Sequence, residues 1–162
     1  MFRIVLLALV LAPIAAPAQK TGNAGAAQNP AEAEKAKGKE FADKAAKEPG
    51  AKRLPSGLVL RTIRPGAGAM PKEMDTVRVH YEGRFVDGKV FDSSYKRSMP
   101  AQFPLHGVIK CWTEGLQKMK VGEKAQLVCP SDIAYGDGGR SSIPGGATLV
   151  FTVELLGIVA PH

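Results

Sequence analysis

From residue 76 to residue 85 apolar and polar side chains alternate without interruption. Val77, Val79, Tyr81, Gly83 and Phe85 fall on one side of an extended chain, and Thr76, Arg78, His80, Glu82 and Arg84 on the other. A period of two predicts a strand with one buried face. Asp87-Gly88 follows with the residues of a tight hairpin turn, so residues 89–91 are expected to pair back onto 84–86. Tyr81, Phe91 and Asp92 should then be neighbours.

Other segments repeat the strand signal. Residues 58–63 alternate after the turn at Pro55-Ser56-Gly57, and Pro65-Gly66-Ala67-Gly68 breaks them. Residues 100–105 read as a short strand that Pro100 and Pro104 confine to an edge or a bulge. Trp112, Leu116 and Met119 share one face of a short helix that Val121-Gly122 closes. Residues 123–129 form another strand, 130–135 a tight turn and 136–146 a Gly/Ser loop. The last strand, 147–159, puts Leu149, Phe151, Val153 and Leu155 on one face, with Thr148, Val150, Thr152 and Glu154 on the other. The pattern is antiparallel α+β, without internal repeats.

The N-terminal third differs. Residues 1–18 combine Arg3, an apolar run over 4–12 and an Ala16-Pro17-Ala18 cleavage-type site, the layout of a signal peptide. The run is shorter than the roughly 20 apolar residues of a membrane span, and no cysteine follows it to carry a lipid. Residues 19–28 read as a flexible leader. Asn29-Pro30 then resembles an N-cap and first helical residue for a helix over 31–47. Its i,i+4 pairs are Glu40 with Lys44 and Asp43 with Lys47. Phe41 is its only large apolar side chain, so a solvated charged helix is expected, with the compact domain confined to 54–162.

Composition adds exclusions. The 162 residues carry 22 Lys and Arg against 15 Asp and Glu, a net charge of +7. The charges are interleaved and no basic block or aromatic-basic stripe appears, so no nucleic-acid partner is expected. His80, His106 and His162 are scattered, and the motifs of metalloproteases, serine hydrolases and phosphate loops are missing. No metal and no cofactor is expected. What remains is an aromatic and apolar set with polar tips: Tyr81, Phe91, Asp92, Phe103, Val108, Ile109, Trp112, Tyr135, Ile143 and Phe151.

VHYEG at 79–83, DGKVFDSS at 87–94, VIKCWTEGLQKMKVGEKAQL at 108–127, AYG at 134–136 and IPGGATLVFTVELL at 143–156 stand in one order and spacing. Together they resemble the FKBP-type peptidyl-prolyl isomerases over roughly residues 54–159. The N-terminal layout is similar to bacterial envelope members of that family. Their longer helical dimerisation region is largely missing here, so a monomer is expected. The resemblance implies a strongly bent antiparallel sheet of five or six strands wrapped around one short helix, with a groove that binds proline. Trp112 would be its floor and Tyr81, Phe91, Phe103, Val108, Ile109 and Phe151 its walls. Asp92 and Tyr135 would be its polar contacts, Arg97 would pair with Asp92, and Ile143 would lie in a loop over the groove. Asp92, Tyr81 and Tyr135 are thus the candidate catalytic residues. Tyr135 would orient a substrate carbonyl and Asp92 organise the pocket electrostatically, neither transferring a proton.

The partners so implied are proline-containing or unfolded polypeptides, and macrolide inhibitors such as tacrolimus and rapamycin. The location would be exported, periplasmic in a Gram-negative source. The alternative is a chaperone that uses the same groove without turnover. Three positions depart from the commonest family pattern: Ala101 where many eukaryotic members carry an aromatic, Cys111 where many carry Gly, and Ser142 where many are apolar. A wider, more polar groove follows. Cys111 and Cys129, the only cysteines of an exported chain, are expected to form a disulfide contributing about 3 kcal/mol.

Overall fold

The structure, a computed structural model, describes residues 29–159. The expected signal segment, the leader and His162 lie outside the described residues. In chain order the elements are α1 (Pro30–Ala45), β1 (Ala51–Arg53), β2 (Val59–Arg64), β3 (Thr76–Phe85), β4 (Val90–Ser93), β5 (Ala101–Pro104), α2 (Lys110–Leu116), β6 (Lys124–Cys129) and β7 (Leu149–Val159). The strands make one antiparallel sheet in the order β1-β2-β6-β7-β3-β4, with β5 also on β3. β5 pairs with Thr76 to Val79 and β4 with Glu82 to Arg84, so the two short strands share one edge of β3. β1 lengthens the sheet beyond the expected five or six strands. Three residues are too few for an alternation to register.

β3 is the central ladder. It pairs with β7 along its whole length, and its odd-numbered residues Val77, Val79, Tyr81 and Gly83 are buried as their spacing predicts. Register shifts at Thr62/Arg64, Arg78/Val79 and Gly83/Arg84 mark bulges, which bend and twist the strands that carry them. The inner face supplies Leu58, Val77, Val79, Leu127, Leu149, Val153 and Leu155 to one core with Trp112, Leu116 and Met119 from the α2 region. A disulfide joins Cys111 in the first turn of α2 to Cys129 at the end of β6, with Cα atoms 5.7 Å apart. The short helix is therefore tied covalently to the sheet that surrounds it.

α1 corrects the expectation of a solvated helix. Asn29 caps it through Oδ1, which accepts from Ala31 N–H at 3.2 Å. Ala31, Gly38, Ala42 and Ala45 are buried. Ala42 and Ala45, helped by Phe41, cover Val59, Val128 and Val150 on the outer face of β2, β6 and β7. The docking face is made of Ala and Gly, so no large apolar residue announces it. Small residues instead let the helix backbone come close: a Cβ on Gly38 would stand 1.9 Å from Thr148 Oγ1. The ion pairs also differ. Glu40 does pair with Lys44 at 2.7 Å, but Asp43 pairs with Lys39 at 2.8 Å and with Arg53 of β1 at 2.7 Å. The folded unit thus begins at α1, ahead of the boundary expected at residue 54.

Gly38→Ala separates a docked helix from a solvated one. On a free helix the change is worth up to about 1 kcal/mol of added stability. Here overpacking costs typically about 1–3 kcal/mol, so urea unfolding should show a net loss of about 1 kcal/mol. A gain would show that α1 does not press on Thr148.

Candidate active site

The inner face opens as a groove of about 490 Å3 between α2, the β4 and β5 edge, and the loop after β6. Trp112 lies at its base, 4% exposed, in the first turn of α2. Three rings meet it edge-on: Tyr81 at 5.2 Å and 84°, Phe103 at 5.5 Å and 88°, and Phe151 at 5.3 Å and 83°. Edge-to-face contact sets the positive ring edge against a negative ring face, each pair contributing about 0.5–1.5 kcal/mol beyond burial. The indole is therefore fixed in orientation as well as position. Its Nε1–H is buried without a hydrogen-bond partner among the described residues. Val108 and Ile109, just before α2, and Phe91 complete the apolar wall.

Local backbone features explain how Phe91 and Asp92 both face the groove. Neighbours in a strand normally point to opposite faces. Here Gly83 pairs with Asp92, and Arg84 then skips to Val90, leaving Phe91 as the extra residue of a bulge. Gly83 also opposes Phe151 on β7. A Cβ at Gly83 would lie 2.5 Å from Phe91 and 2.9 Å from Phe151, so only glycine lets these two rings close over the strand. They meet edge-on at 5.7 Å.

The polar side of the groove is internally satisfied. Tyr81 Oη–H donates to Asp92 Oδ2, while Arg97 donates to Asp92 Oδ1 at 2.5 Å and to Tyr81 Oη at 3.0 Å. Burial pushes the Asp92 carboxyl up, but hydrogen bonds from Tyr81 and Arg97 outweigh it and hold the group below its usual range. Burial, then the bond to Asp92, raises the Tyr81 phenol, with Arg97 opposing. Asp92 is thus an anion and Tyr81 a neutral donor across neutral pH. His80 lies on the other face of β3, 2.9 Å from Ser94 Oγ and stacked on Tyr95.

The rim comes from the loop after β6. Tyr135 and Arg140 line the groove, the Arg140 guanidinium 6.0 Å above the Tyr135 ring. Gly136 N–H donates to Ser131 O at 2.8 Å, and Lys35 of α1 reaches Asp137 at 2.6 Å, so the outer helix helps hold this loop. Ile143 differs from expectation. It is half-buried against the main core and is not among the lining side chains. The Arg140–Ile143 bridge turns the chain there and leaves Arg140 on the groove side. Ala101 likewise packs on the core, and Ser142 is exposed. Gly107 and Arg140 are lining residues that the residue pattern did not single out. Arg140 sits in a Gly/Ser loop where no periodicity exists to mark it.

Among the described residues no group of three or more His, Cys, Asp or Glu side chains is placed to hold a metal ion, and no helix is long and apolar enough to cross a membrane. A second cleft, of about 480 Å3 beside α1, is lined by charges of both signs, Lys35, Lys39 and Arg53 with Glu32, Asp43 and Asp132. Five of those six charges already pair with one another: Asp43 with Lys39 and Arg53, and Lys35 with Asp132 at 3.7 Å.

The profile of the family described as FKBP-type peptidyl-prolyl cis-trans isomerase matches residues 68–156. The FKBP-type peptidyl-prolyl cis-trans isomerase FkpA of Escherichia coli is 51% identical over 123 residues, which are 76% of this chain and 46% of that protein. The crystal structure of FkpA from Escherichia coli superposes with a TM-score of 0.78 at 50% identity, covering 79% of this chain and 60% of that one. A peptidyl-prolyl cis-trans isomerase structure from Pseudomonas syringae gives a TM-score of 0.74 at 39% identity, covering 81% of this chain and 97% of that one. The chain belongs to the FKBP-type peptidyl-prolyl cis-trans isomerase family. It spans about half the length of FkpA-type relatives.

The charge state of Asp92 has a pH signature. Because its folded value is lowered, its contribution to stability is fully present above the ordinary aspartate value of about 3.9. It is lost only as pH falls through the lower folded value. A carbon-detected NMR titration should therefore place the Asp92 midpoint below about 3.9. A midpoint at or above that value would contradict the bonded arrangement.

Proposed function

We propose that the chain catalyses cis-trans isomerisation of X-Pro bonds in exported polypeptides and so assists their folding. The observation that carries this is the groove itself: a fixed aromatic floor and walls, with an acid, a phenol and a guanidinium already satisfied by one another. No nucleophile-base pair or metal cluster is needed for the chemistry. Rotation about X-Pro breaks amide resonance, against a barrier on the order of 20 kcal/mol. Lowering it by about 7 kcal/mol would accelerate rotation roughly 10⁵-fold.

Three features of the groove serve that end. The Trp112 face with Phe103, Phe151 and Tyr81 is the right shape and polarity to seat a pyrrolidine ring. Apolar walls keep water from the imide oxygen. Water donors there favour the planar, more anionic ground state, so their exclusion favours the twisted one. Tyr135 at the rim is the donor proposed to orient a substrate carbonyl, and Asp92, held anionic by Tyr81 and Arg97, sets the local field. Because those bonds already exist in the free protein, little reorganisation is required when substrate enters. Export to the periplasm is supported by the signal-like residues 1–18 and by the Cys111–Cys129 disulfide, a bond of oxidising compartments.

The test is isomerase activity on an Ala-Leu-Pro-Phe type peptide, beside Asp92→Ala and Phe103→Ala. Both variants should keep the fold and lose about tenfold or more in kcat/KM, the loss expected when about 1.4 kcal/mol of transition-state stabilisation is removed. Binding of such peptides without faster isomerisation would instead assign the groove to a chaperone.

A further inference from the structure

Arg140 places on the groove a charge that its surroundings leave unanswered. Among the described residues only two charged side chains line the groove, Asp92 and Arg140. Asp92 is already paired with Arg97 at 2.5 Å. The acid nearest to Arg140 in sequence, Asp137, is engaged by Lys35 at 2.6 Å. Among the described residues no carboxylate forms an ion pair with Arg140.

The position of Arg140 is also built. Its N–H donates to Ile143 O at 2.9 Å and its carbonyl accepts from Ile143 N–H at 2.8 Å, a two-bond bridge that fixes the backbone beneath the side chain. The guanidinium carbon lies over the Tyr135 ring, 6.0 Å from its centroid, and the side chain lines the groove. A planar guanidinium matches a carboxylate fork better than any other common side chain.

We propose that Arg140 is a specificity residue that favours X-Pro segments carrying an aspartate or glutamate within a residue or two of the proline. The inference rests on the groove being the substrate site. Because the guanidinium is exposed, the gain is that of a surface ion pair, about two- to fivefold, and is screened by salt.

The experiment compares isosteric peptide pairs, Glu against Gln, placed just before and just after the proline of an otherwise neutral substrate. The quantity read is the Glu/Gln ratio of kcat/KM, so changes in overall rate cancel. The wild-type chain should give a ratio of about two to five at one position at least, at low ionic strength, falling towards one at about 0.5 M salt. Arg140→Gln should abolish the preference, Arg140→Glu reverse it, and Arg140→Lys retain part of it. A wild-type ratio of one at both positions overturns the proposal. So does a preference that survives in Arg140→Gln, since the acid would then be read elsewhere. If the wild type turns over no peptide, the isomerase assignment fails while this inference does not. The Glu/Gln ratio of binding affinities for the same peptides then decides it by the same outcomes.

Discussion

The register of β3 is the constraint on which the rest depends. One residue of slip would turn Val77, Val79 and Tyr81 outward and His80 and Glu82 inward, because side chains alternate with a period of two. It would also remove Gly83 from the row that joins Asp92 on β4 to Phe151 on β7. That row is where the two rings cross the strand and where the bulge delivers Phe91 and Asp92 to the same side. Core and groove are thus set by one alignment. The core gains its apolar layer, and the groove gains a phenol, an acid and two aromatic walls.

Around this row the molecule is braced from both faces. On the inside, α2 presents Trp112 and is tied to β6 by the disulfide. On the outside, α1 lies against β2, β6 and β7 and sends Lys35 to the loop that carries Tyr135 and Arg140. The arrangement suits chemistry that makes and breaks no covalent bond with the protein. Such a site works by shape, dryness and a fixed field, all of which are lost if its parts can move.

Much of this was legible in the residues. The ten-residue alternation of β3, the Asp87-Gly88 turn and the face of β7 were each plain from spacing, and together they placed Tyr81 beside Phe91 and Asp92. Where the spacing failed, the physics explains it. α1 docks through Ala and Gly, whose small size is the means of contact and also hides it from any hydrophobic pattern. β1 is three residues long, too short to show a period. The exchange of Ile143 for Arg140 at the rim depends on a two-bond bridge in a loop, where side-chain direction follows backbone turns that a linear pattern does not encode.

In the proposed mechanism, rotation is accelerated without proton transfer, by a groove whose ionisable groups are already settled. The direct measurement is kcat/KM for a neutral X-Pro peptide in H2O and in D2O across roughly pH 5 to 9, the window between the lowered Asp92 and the raised Tyr81. Equal rates in the two solvents and a flat profile throughout are expected. A clear slowing in D2O, or a rate that follows a titrating group inside that window, would contradict it.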